Sequence, residues 1–76
     1  MKQRTALANL AIDNYIDGNL TDAQLIAKRV SIQKLYNVLC RDYRKCHGVA
    51  YAIASYLKGK ISFQAASTIE LSVEGK

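Results

Sequence analysis

No proline interrupts this 76-residue chain, and apolar residues recur at three- and four-residue spacing along most of it. Proline would remove a backbone donor and clash with the preceding turn, so its absence leaves helix open everywhere. Residues three and four apart share one helix face, and this recurrence predicts amphipathic helices. Leu7, Ala8, Ala11, Ile12 and Tyr15 form the first stripe, in a helix expected over residues 3–17. Gly18 follows as its stop, where a left-handed backbone costs glycine nothing.

Thr21 and Gln24 then read as a capping box, with Leu20 and Leu25 as the hydrophobic staple around it. Ala23, Ile26, Ala27 and Val30 continue one stripe, whereas Ile32, Leu35, Tyr36, Leu39 and Tyr43 start another. On a straight helix the two would point roughly 100° apart. The phase change predicts a short helix near 22–30, a turn capped by Ser31 and a longer helix near 32–45. One bent helix over 22–46 is the alternative. Cys46-His47-Gly48 reads as a stop, and a helix over 49–58 would turn Val49, Ile53, Tyr56 and Leu57 inward before Gly59. Ser62 would cap a last helix to about residue 71. Ile69, Leu71 and Val73 alternate like a strand, but a lone strand has nothing to pair with, so a frayed helical tail is expected. The fold expected is all-α: one compact domain, 1–76, of four to five short helices.

Tyr15 to Thr21 also align with Tyr56 to Ser62 at an offset of 41, and Ala11-Ile12 with Ala52-Ile53. Two helix-turn-helix pseudo-repeats would produce this, and so would convergent stop-and-start chemistry.

Charge is unevenly placed. The net charge is +5, yet residues 28–60 hold eight basic residues against Asp42 alone. Within that stretch Lys34, Arg41 and Lys45 stand at i, i+7 and i+11, which predicts an outward cationic stripe with Arg44 beside it and Lys28 and Arg29 before it. Such a surface suits nucleic acid or an acidic protein partner, and equally a solvated face. Tyr36 and Tyr43 alternate with the cations, a pattern compatible with base stacking, but their seven-residue spacing on the apolar stripe favours the core.

The remaining chemistry is sparse. Cys40, Cys46 and His47 lack the close ligand pairs of a structural zinc site, so no metal or cofactor is expected. His47 is the single histidine, with no carboxylate pair or glycine-rich loop around it. The expectation is a non-enzyme without a small-molecule substrate. With no signal-like segment, no membrane-length apolar run and two cysteines that form no scaffold, the expected location is the cytoplasm, without membrane association.

Residues 26–37, Ile-Ala-Lys-Arg-Val-Ser-Ile-Gln-Lys-Leu-Tyr-Asn, resemble the core of the helix-turn-helix segment of recombinases and repressors. The resemblance implies a recognition helix with Ser31, Gln33, Lys34 and Asn37 facing bases or phosphates. The chain departs from the pattern by two residues fewer between Ala27 and Val30 and by having no turn glycine, which would set the second helix at another angle. Together these features point to a nucleic-acid-binding or regulatory module using the basic face of residues 28–45. The alternative is a small inhibitor or adaptor, of the kind phages and mobile elements encode, docking on a larger host protein. A homodimer in which Tyr51, Ile53 and Leu57 extend the core is a third possibility.

Overall fold

A computed structural model describes residues 2–74, with side chains from residue 6 to residue 73. It contains five helices: α1 (Lys2–Ile16), α2 (Leu20–Ala27), α3 (Ile32–Asp42), α4 (His47–Leu57) and α5 (Phe63–Glu74). No strand forms among the described residues. Helix α4 is the centre of the bundle. It packs on α2, α3 and α5, while α1 lies across α2 and α3.

The composition of α4 suits that position. Val49, Ala50, Ala52, Ile53, Ala54, Ser55, Tyr56 and Leu57 are all buried, and the alanines let neighbouring helices approach on several sides. Leu35, Val38 and Leu39 from α3 and Ala8, Ala11 and Ile12 from α1 complete the interior with Ala23, Ala27 and Ala66. Each buried leucine or isoleucine contributes roughly 1.5–3 kcal/mol.

Two turns have the same construction. Gly18 and Gly59 both adopt positive φ, at 88° and 76°. In the first turn Gly18 N–H donates to Tyr15 O and Asn19 N–H to Asn14 O; in the second, Gly59 N–H donates to Tyr56 O and Lys60 N–H to Ser55 O. Both are helix stops in which the last carbonyls are satisfied by the two residues beyond. Tyr15 and Tyr56, equivalent at the offset of 41, meet with ring centroids 5.8 Å apart, and Phe63 packs edge-on to both. The matching hydrogen bonds extend the sequence correspondence to the backbone.

The break between α2 and α3 falls where the apolar phase changes. Ser31 Oγ accepts from Lys34 N–H at 3.1 Å, and Ser62 Oγ does the same for Ala65 N–H at the start of α5. Thr21 does not cap. Helix α2 already begins at Leu20, after Asn19, which makes no side-chain cap bond. Gln24 instead donates to Tyr56 O at 3.1 Å, tying α2 to α4, and Leu25 is 54% exposed, so the staple is absent too. A tertiary bond to a buried helix replaces the local one.

Cys46-His47-Gly48 is a start and not a stop. Cys46 occupies the N-cap position and His47 opens α4, so His47 lies at the positive end of a helix dipole rather than the negative end its expected place implied. Beyond Leu71 the chain stays helical to Glu74; Gly75 and Lys76 lie outside the described residues. Ile69, Leu71 and Val73 are exposed on α5. Ile53 and Leu57 are almost fully buried within the bundle and cannot extend a dimer core; Tyr51, at 60% exposure, is the only one of that trio on the surface.

These assignments separate by mutation. Ser31→Ala should cost about 1 kcal/mol in chemical denaturation, and Thr21→Ala within about 0.5 kcal/mol of nothing. Gly59→Ala should cost about 1 kcal/mol or more because of its positive φ. Gly48→Ala should be neutral or stabilising, because it lies in helix and an added Cβ meets only Val73 Cγ2 at 4.0 Å.

Candidate nucleic-acid interface

Helix α3 turns Leu35, Val38 and Leu39 inward and Gln33, Asn37 and Arg41 outward, with Lys34 half-buried at the edge of that outer face. Gln33 donates to Asn37 Oδ1 at 3.1 Å across one turn. The polar side chains implied by the helix-turn-helix resemblance are therefore displayed on α3, except that Ser31 Oγ is already engaged as a cap acceptor. The packing differs from that motif. Helix α2 rests on α1 and α4 and scarcely touches α3, so the usual helix pair is not closed on itself. The four-residue turn 28–31 separates the two helices without docking them.

The expected stripe from Lys34 through Arg41 to Lys45 is interrupted. Helix α3 ends at Asp42, and Arg44 enters the left-handed region at φ 54°. This reversal directs Lys45 N–H to Leu39 O at 3.0 Å and takes Lys45 off the helix face. Lys45 Nζ lies 3.6 Å from Glu70 Oε2, with its side chain only 26% exposed. Arg41 Nε pairs with Asp42 Oδ1 at 3.1 Å. Nearby, Tyr43 donates to Asp13 Oδ1 at 2.7 Å and lies 3.2 Å from Asn9 O, fastening the end of α3 to α1. This is a core-edge role, with the hydroxyl held at the rim. At this end Arg41 and Lys45 each meet a carboxylate, and Arg44 is exposed.

At the opposite end of α3 the cations gather around the α2–α3 turn. Arg29 and Lys34 line a cleft of about 270 Å³ with Val30 and Ser31. On the other side of the turn, Lys28 and Lys58 line a second cleft of about 240 Å³ with Gln24, Leu57 and Gly59, and exposed Lys60 follows next in the chain. Lys58 Nζ donates to Ala27 O at 3.0 Å and to Val30 O at 2.7 Å. Its charge is thereby fixed at the carbonyl end of α2, where a cation is favoured. Neither ion pair found among the described residues involves these five cations.

Lys58 and Lys60 were not legible as part of this surface, because the α4–α5 turn is brought beside α2 only by the tertiary fold. Two positively charged turns separated by some thirty residues carry no local signal of being neighbours. Arg29, Ser31 and Lys34 share one cleft, Lys28 lines the other, and Gln33 and Asn37 stand on the outer face of α3, whereas Arg41 lies further along that helix and Arg44 and Lys45 lie beyond its end.

Among the described residues no three His, Cys, Asp or Glu side chains converge as metal ligands, and no helix is long and apolar enough to cross a membrane. Cys40 and Cys46 are free thiols. Comparison with known protein families, with curated proteins and with solved structures returns no match.

Burial and the bond to Asp13 push the Tyr43 phenol well above its ordinary value of 10.0. The folded state therefore holds this proton more tightly than the unfolded chain, and the associated stability is complete below pH 10 and is lost as pH rises above it. In alkaline titrations followed by circular dichroism, Tyr43→Phe should show a smaller loss of stability above pH 10 than the parent protein.

Proposed function

We propose that this protein is a non-enzymatic binding module that docks on nucleic acid through the α2–α3 corner and the outer face of α3. The observation that carries the reading is the placement of Arg29 and Lys34 in one cleft and of Lys28 in a second beside the α2–α3 turn, outside both ion pairs found among the described residues, while Arg41 and Lys45 are met by Asp42 and Glu70. Cations that are not internally neutralised can exchange solution counterions for phosphates, and the released ions drive association. Gln33 and Asn37 on the adjoining face offer the donors and acceptors that read base edges. A regulatory role follows from binding without chemistry. The two free thiols suit the reducing cytoplasm.

A second reading rests on a different feature. Ala6, Leu7 and Leu10 line a cleft of about 390 Å³ next to Arg29, and Leu10 is 49% exposed. An apolar cleft rimmed by a cation suits an acidic, partly apolar segment of a larger protein, as an inhibitor or adaptor would require.

Fluorescence anisotropy with random duplex DNA and RNA across a salt series tests the first reading. Affinity should fall steeply with salt, and Arg29→Glu, Lys34→Glu and Lys60→Glu combined should lower the log–log slope by about 3. Arg41→Glu with Lys45→Glu should have a much smaller effect. Equal losses in both variants, or binding indifferent to salt, would remove the corner from consideration. The second reading predicts instead that Leu10→Asp abolishes capture of a single protein partner and leaves any nucleic-acid binding intact.

A further inference from the structure

Away from the cationic corner, one cluster of reactive side chains has no part in that surface. Tyr36 and Cys40 stand one turn apart on the flank of α3 that meets the start of α4. The His47 ring lies over them, stacked on Tyr36 with centroids 5.8 Å apart and planes inclined at 25°. Its Nδ1 meets the Tyr36 hydroxyl and lies 3.9 Å from Cys40 Sγ. Cys40 is half-buried, yet the imidazole beside it is exposed. Cys46 is more exposed than Cys40 but has no imidazole at hydrogen-bond distance.

We propose that Cys40 and His47 form a thiol-modification site at the α3–α4 junction that takes small, soft electrophiles. The thiolate is the nucleophilic form of cysteine, and a base held against the sulfur supplies it at the moment of attack. With an α-haloamide such as iodoacetamide, Nδ1 of His47 accepts the Cys40 proton while the sulfur electron pair forms the S–C bond. The C–I bond breaks and iodide departs with its pair. The Tyr36 hydroxyl competes for the same Nδ1 lone pair, so it restrains the reaction.

The two cysteines provide an internal comparison. Folded protein is treated with limiting iodoacetamide at pH 7, and adducts at Cys40 and Cys46 are quantified by peptide mass spectrometry. Cys40 should react faster despite its greater burial and despite the N-cap position of Cys46. His47→Asn should remove that advantage and leave the Cys46 rate unchanged. Tyr36→Phe, which keeps the imidazole, should raise the ratio of Cys40 to Cys46 adduct. Slower reaction at Cys40 than at Cys46 in the parent protein would overturn the proposal, as would a ratio insensitive to His47→Asn. Should that variant prove unfolded by circular dichroism, a ratio unchanged or lowered by Tyr36→Phe would overturn it as well.

Discussion

The enclosure of α4 is the constraint on which the other elements depend. Its buried side chains face α2, α3 and α5 at once, which small residues such as Ala50, Ala52 and Ala54 permit. A helix lined by leucine all round would hold its neighbours further away and widen the gaps between them. Two polar bonds supplement this packing: Gln24 reaches the Tyr56 carbonyl and Lys58 reaches the end of α2. Both join α2 to the final turn of α4, and so they set the distance between the two charged turns.

Charge is sorted by this arrangement more than by local sequence. Eight basic residues lie within 28–60, but the left-handed Arg44 ends the helix face before Lys45, and Glu70 of α5 arrives beside that lysine. At the other end Lys58, anchored on the Ala27 and Val30 carbonyls, lines a cleft with Lys28 beside the turn that holds Arg29. The outcome is a polarised molecule with a positive corner and a nearly balanced opposite end. Association with a polyanion would therefore favour one orientation on approach.

Much of the architecture was legible in the chain. Periodicity located all five helices, and the phase change at Ser31 marked the break because two stripes out of register cannot both face one core. The glycine stops were legible because a positive φ leaves few alternatives. The failures share a cause. The Thr21–Gln24 box and the stop at Cys46 to Gly48 are local rules, and each was overridden by a partner distant in the sequence: Gln24 by the Tyr56 carbonyl, and residues 46–48 by the burial of α4 immediately after them. Leu25, expected as half of the staple, is left exposed where α2 begins at Leu20, and Val38, outside the expected stripe of α3, is buried. At the candidate site, the α3 residues were accessible from helical spacing, but the contribution of Lys58 and Lys60 was not, since only the tertiary fold makes those turns neighbours.

The position of α4 in chain order has a consequence for biosynthesis. The segment that fills the centre is the fourth of the five helices among the described residues, so during translation α3 is made before the helix that its Leu35, Val38 and Leu39 side packs toward. That face gains its partner only once residues 47–57 have emerged. Closure of the core therefore waits for α4, and a chain made only as far as α3 is the species most exposed to proteases and chaperones.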